Sequence, residues 1–148
     1  MKLRDWLLKY ANKRPPDYII GPIDNPYLLR WFILPRNKVF NVYLHCFLRS
    51  DDDRALHDHP WMNMSWLLLN GYFEHTVNGS TYIRENTLKF RLSGEYAHRI
   101  EIINDKVWTL FITGPRYRMW GFYCPNGWVS YKQFTKTTAN QSLSVGCD

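Results

Sequence analysis

Leu56-His57-Asp58-His59-Pro60-Trp61 places two histidines two residues apart. On a β-strand, residues i and i+2 project from the same face. The spacing therefore aims both imidazoles at one point, and imidazole is a good transition-metal ligand. A third histidine, His98, lies in a later apolar run and completes a set of three. Asp58 points to the opposite face and reads as a surface or supporting residue rather than a ligand. Pro60 reads as a strand terminator. Histidines found singly are mostly ordinary polar residues. Three in this arrangement point to a metal site built on strands, with a degenerate, metal-free site as the alternative.

Outward from this stretch the chain reads as β. Segments 27–34, 38–48, 62–69, 72–77, 81–84, 87–92, 98–103, 107–113 and 117–123 are rich in aromatic and β-branched residues, and several alternate with period two. Three Asn-Gly pairs, at 70–71, 78–79 and 126–127, suit tight hairpin turns because both positions tolerate positive φ. Many short strands and no long helical run predict an all-β sandwich or barrel. Leu3, Trp6, Leu7 and Tyr10 form the stripe of a short amphipathic helix over 2–12, which Pro15-Pro16 ends. The organisation expected is a helix and linker over 1–16, a barrel over 17–134 and a loose polar tail over 135–148.

At 148 residues the chain suits one domain with a core that needs no disulfide. Cys46, Cys124 and Cys147 are odd in number and form no Cys-x-x-Cys motif, so the expectation is reduced thiols and a cytoplasmic location. No stretch approaches the roughly 20 apolar residues of a membrane span. The net charge is +6 and the pI about 9.3. The basic residues are scattered rather than clustered, which argues against nucleic acid and for a small anionic partner or simple solubility. The chain has no Gly-rich phosphate loop, no Gly-x-Ser-x-Gly elbow and no zinc-ribbon cysteine spacing.

The spacing from His57-x-His59 through Met64 to Gly71 resembles the first motif of the cupins, small double-stranded β-helix (jelly-roll) barrels. Met64 stands where most cupins carry a ligating glutamate. Leu56-His57-Asp58-His59 with Leu68-Leu69-Asn70-Gly71 resembles the Ile-His-Asp-His and Leu-Leu-Gln-Gly of the cysteine dioxygenase-like thiol dioxygenases. His98-Arg99-Ile100-Glu101 resembles their His-Arg-Val-Glu. The likeness spans about residues 42 to 122. Trp108 to Pro115 with Trp120-Gly121-Phe122 also resembles small cupins of phages and bacteria. The resemblance implies a three-histidine Fe(II) site at His57, His59 and His98 with positions open for O2 and substrate, Zn, Ni or Mn being alternative metals. It also implies a homodimer, the common state of cupins. The family's Ser-x-His-x-Tyr series falls on Thr109, Phe111 and Thr113, so its relay histidine and tyrosine are missing. No cysteine stands at Met64, so the Cys–Tyr crosslink cannot form there. The arginine that holds the substrate carboxylate has no fixed counterpart, with Arg30 or Arg36 as candidates.

Pocket residues follow from strand parity. If Asn70-Gly71 closes a two-residue hairpin, Met64 faces Val77 and Trp66 faces His75. His75 and Trp66 then point into the barrel and Glu74 points away. Tyr43 and His45 alternate on the strand before the metal motif and are expected to line the barrel, although a core aromatic is the commoner fate of such a tyrosine. Arg116 and Arg118 are candidates to clamp a carboxylate or phosphate, because guanidinium meets those anions bidentately. Arg91 is a further candidate. Two functions remain open. One is metal-dependent oxidation of a small anionic or thiol-bearing metabolite. The other is a non-catalytic barrel that sequesters an anionic molecule or nucleotide signal, or a phage structural or assembly component.

Overall fold

Fourteen strands and two helices make up the described residues of the computed structural model, which are 2–51, 55–103, 105–138, 140–144 and 146–147. α1 (Leu3–Asn12) precedes β1 (Tyr18–Ile20), β2 (Leu28–Phe32), β3 (Asn41–Phe47), β4 (Leu56–His57), β5 (Asn63–Leu69), β6 (Tyr72–Thr76) and β7 (Gly79–Ile83). β8 (Leu88–Arg91), β9 (Arg99–Glu101), β10 (Val107–Thr113), β11 (Gly121–Cys124) and β12 (Gly127–Ser130) follow, then α2 (Tyr131–Phe134), β13 (Thr135–Thr137) and β14 (Gln141–Ser144). An eight-stranded sheet runs β13-β14-β1-β2-β3-β10-β5-β8, and two three-stranded sheets run β12-β11-β4 and β7-β6-β9. Residues from all three sheets line one cavity. The architecture is the expected all-β jelly-roll barrel with a short N-terminal helix.

Period-two alternation in β3 separates the two sides of the large sheet. Tyr43, His45 and Phe47 face the cavity. Leu44 and Cys46 face outward and pack with Leu7 and Ala11 of α1, together with Trp31, Leu68 and Trp108. The helix thus caps the barrel's outer face through Leu7 and Ala11, with Leu8 and Tyr10 beside them, whereas Leu3 and Trp6 of the expected stripe are exposed; Trp31 and Trp108 stack beneath it with centroids 5.4 Å apart. A second cluster of Leu28, Phe47, Leu67, Tyr72, Ile100 and Val107 fills part of the interior. Fully burying a side chain of this size is worth about 1.5–3 kcal/mol, so both faces of β3 contribute.

The turn at Asn70-Gly71 departs from the expected hairpin. Both edges of β5 are taken, by β10 and by β8. Asn70 adopts a left-handed φ of 60°, and the chain leaves the large sheet to start β6 in another. Met64 accordingly sits opposite Ile112 and Phe90 rather than Val77. The β6–β7 and β11–β12 hairpins do form, with Gly79 and Gly127 at φ of 116° and 121°.

Two further expectations are overturned. The polar C-terminal stretch is folded: β13 pairs with β14, and β14 joins β1 in parallel. The stretch is nearly free of large apolar groups, but its backbone completes the edge of the large sheet. Cys124 and Cys147 are disulfide-bonded across 23 residues, and Cys46 is the buried free thiol. The pair escapes sequence reading because the two cysteines meet only once β14 has docked. Among the described residues no helix is long and apolar enough to cross a membrane.

Candidate metal centre

β4 ends at His57, and Asp58 and His59 follow it outside the strand. An isolated antiparallel bridge joins His57 to His98, with the His57 amide donating to the His98 carbonyl at 2.9 Å and the reverse bond at 3.0 Å. The His59 amide donates to the Gly94 carbonyl at 2.8 Å. These backbone bonds fix the three rings together. One ring nitrogen from each of His57, His59 and His98 lies within 4.8 Å of the others. His59 Nε2 and His98 Nε2 are 2.9 Å apart. Two imidazole ligands at about 2.1 Å from a common ion and at right angles stand about 3 Å apart, so this pair fits one transition metal.

Burial lowers all three imidazoles. His57 is below the ordinary value, and burial pushes His98 down to about 3. His59 is held well below by burial, reinforced by the neighbouring His98 and His57. The rings are therefore neutral, the form that ligates.

Glu74 supplies the orienting group. It is buried, and its Oε1 lies 2.6 Å from His98 Nδ1. Burial alone would raise its carboxyl, but the hydrogen bond from His98 and the charge of Arg91 outweigh this and hold it well below the carboxylate range. An ionised Glu74 beside a neutral His98 assigns the ring proton to Nδ1 and leaves Nε2 free toward the other histidines. Arg91 and Lys89 both pair with Glu74. The acidic residue of the site thus stands behind a histidine instead of among the ligands.

Glu74 corrects the sequence expectation. Ser65 of β5 and Tyr72 of β6 line the cavity, so the face expected to point outward is the inner one, with Glu74 pointing inward and His75 outward. His75 is half-buried on the outer face of β6, with Nε2 2.6 Å from Glu101 and Nδ1 2.5 Å from Ser80. Trp66 likewise lies outside the cavity, against the cluster under α1. Arg118 is structural: it pairs with Asp58 at 2.9 Å and donates to the carbonyls of His59 and Gly94. Asp58 is fully buried and also accepts from the Gly121 amide and Trp128 Nε1, which locks the metal motif to β11 and β12. Tyr43, Arg91 and Arg116 do line the cavity.

The cavity measures ≈ 820 Å³, with the histidines in its wall. Arg30 projects into it from β2. Its Nε donates to His45 Nε2 at 2.8 Å, and its guanidinium lies 4.8 Å from the Tyr43 ring centroid. Burial and then the charge of Arg30 hold His45 well below its ordinary value, so it is neutral with its proton on Nδ1. Trp61 packs on His59 with ring centroids 5.4 Å apart, and Phe111 and Phe122 extend the apolar wall. At the positions of the missing relay, Thr109 and Phe111 line the cavity, and His45 sits opposite Thr109 on the neighbouring strand.

No family model matches the sequence, and no curated protein is similar to it. Solved structures are. A candidate mannose-6-phosphate isomerase from Ralstonia eutropha superposes with a TM-score of 0.53 at 11% identity, covering 64% of this chain and 91% of that one. A sugar phosphate isomerase of the cupin superfamily from Silicibacter pomeroyi gives 0.52 at 10% identity, covering 70% and 75%. The fold is the cupin fold. DMSP lyase DddQ from Ruegeria pomeroyi gives 0.49 at 11% identity over 63% of this chain, and the chain spans about half of the lyases' length, 47% and 50%. The cupin barrel here carries a three-histidine group able to hold a divalent metal.

Proposed function

We propose that the chain is a metal-dependent enzyme that oxidises a small anionic metabolite with O2 in the barrel cavity. The observation that carries this reading is three neutral imidazoles in the wall of an arginine-lined ≈ 820 Å³ cavity. His57, His59 and His98 would hold the metal, with Fe(II) as the reading's metal and Zn, Ni or Mn as alternatives. Iron bound there supplies redox capacity and open positions for O2 and substrate. Glu74 keeps the His98 proton on Nδ1. Arg30, fixed by His45 and Tyr43, offers its outer nitrogens to the substrate's anionic group, which gives orientation. Trp61, Phe111 and Phe122 exclude water.

Anaerobic reconstitution with Fe(II), elemental analysis and O2 uptake in the presence of candidate small acids test this. One bound iron per chain and substrate-dependent O2 uptake are expected. Absence of metal in both the purified and the reconstituted protein would sink it.

A second reading is sequestration of an anionic ligand without turnover. It is favoured by Thr109 and Phe111, which bring no titratable group to the cavity, and by His45, whose Nε2 is committed to Arg30. Mass spectrometry of molecules released on denaturation separates the two, because an unmodified metabolite with no O2 uptake supports binding alone.

A further inference from the structure

We propose that the cavity mouth is a phosphate subsite: Arg36, Lys38 and Arg116 hold a phosphate-type dianion on a ligand whose other end reaches the three-histidine wall. This rests on the reading of the cavity as the ligand site.

The sheet register brings the three cations together. Thr113, the last residue of β10, pairs with Asn41, the first of β3, and with Asn63, the first of β5. The loop 33–40 before β3 and the loop 114–120 after β10 therefore emerge at one end of the barrel. That end is also beside the metal motif, because the Tyr117 amide donates to the Pro60 carbonyl at 3.0 Å and the Gly114 amide to Met62 at 2.9 Å.

The loop that presents Arg36 and Lys38 is braced. Asn37 Oδ1 accepts from the amides of Val39 and Phe40 at 2.9 and 3.0 Å. Asn41 in turn accepts from the Asn37 amide and donates to its carbonyl, both at 3.0 Å. Asn37 is thereby fixed between the two cations. Arg116 rests against Tyr131, whose hydroxyl oxygen lies 3.4 Å from Nη1.

Charge decides the ligand class. Arg36, Lys38 and Arg116 all line the cavity, and among the described residues none forms an ion pair. Deeper in, Arg91 is matched by Glu74. Asp51 is the one carboxylate among the described lining residues. Exposed cations with no ion-pair partner are ordinary on a protein surface. Three that converge on one cavity mouth, two of them on a braced loop, create a positive field that a single carboxylate does not neutralise. Arg30, farther along the wall, already suffices for a monoanion. The volume agrees, because ≈ 820 Å³ suits a ligand with two separated ends rather than one of a few atoms.

The test titrates the full chain with phenyl phosphate, inorganic phosphate and benzoate by calorimetry, in metal-free and metal-loaded protein. Phenyl phosphate is expected to bind about ten-fold or more tighter than benzoate. The combined Arg36→Gln, Lys38→Gln and Arg116→Gln protein should lose about ten-fold or more toward phenyl phosphate while its metal content and benzoate affinity stay unchanged. Equal wild-type affinities for phenyl phosphate and benzoate would overturn the proposal whether or not the variant folds, as would undiminished phosphate binding by the folded variant. Because the phosphate affinity is read without metal, retained phosphate binding in a chain that takes up no iron would refute the oxidation reading and leave the subsite standing.

Discussion

Glu74 Oε1 stands 2.6 Å from Nδ1 of His98, on the side of the ring away from His59. This makes the carboxylate a support for a metal-ligating imidazole, a relationship that fixes the tautomer and strengthens the ligand. Glu74→Gln is expected to lower metal affinity about 10–100-fold while the chain still folds. Both substitutions cost stability, because Arg91 and Lys89 lose the carboxylate they share, and Glu74→Ala is expected to cost the more, about 3–5 kcal/mol, because it leaves no acceptor in its place. Competition with a chromogenic chelator measures the first effect and urea unfolding the second.

The relation was not readable in the sequence, and the reason is topological. Alternation in Asn41 to Phe47 and Val107 to Thr113 revealed strands, and the i, i+2 histidines with His98 revealed the cluster. Both signals are local or are carried by residue type. The facing of Glu74 and His75 depends instead on which face of β5 and β6 the barrel closes over. Alternation permits either, because it relates residues of a strand to one another and not to the barrel interior. The same ambiguity applies to Trp66, which shares the outer side with His75. Arg118 and Arg116 look alike in sequence, and only the buried Asp58 carboxylate separates the structural one from the one in the cavity. The 135–148 stretch is poor in large apolar groups and so reads as a loose tail, yet its strands are held by backbone pairing and a disulfide, which hydropathy does not report.

Stability should fall as the pH drops through the histidine range. His45 is neutral in the fold, flanked by Arg30 on β2, by Tyr43 and by the uncharged Thr109 and Phe111 of β10. In the unfolded chain it takes up a proton near pH 6.5. The unfolded state therefore binds more protons below that pH. The folded state keeps its full margin above about 6.5 and loses up to about 1.4 kcal/mol per pH unit for this ring below it. The metal-free site histidines act in the same direction. Urea midpoints between pH 5 and 8 should rise with pH and then level, and His45→Gln should flatten the slope.

Cys46 and the disulfide should be separable by alkylation. Burial pushes the Cys46 thiol up to about 12, so the native protein should not react with iodoacetamide at pH 8. After mild reduction, Cys124 and Cys147 should label and Cys46 should not. Removing the crosslink by Cys147→Ser is expected to cost about 3 kcal/mol on the loop-entropy account of a 23-residue separation. Because β14 is the strand it secures, limited proteolysis should cut first within 135–148. Cleavage elsewhere, or an unchanged melting temperature, would contradict the assignment.

Gly94→Ala should disable the metal centre without touching a ligand. The Gly94 carbonyl receives the His59 amide at 2.8 Å, and its α-carbon lies so close to the His59 carbonyl that an added Cβ would collide with it. The Tyr117 hydroxyl and the Arg118 side chain crowd the same point. The backbone oxygen cannot swing aside as a flexible side chain could, so His59 must shift with its backbone. Arg118, which donates to the carbonyls of both His59 and Gly94, would lose its seat as well. A displacement of this kind separates His59 Nε2 from His98 Nε2. The expected outcome is at least about a ten-fold loss of metal affinity and a stability cost of about 1–3 kcal/mol, typical of overpacking. Gly79→Ala is the contrasting control. It carries a positive-φ penalty that Gly94→Ala does not, but nothing lies near the added methyl, so metal affinity should not change.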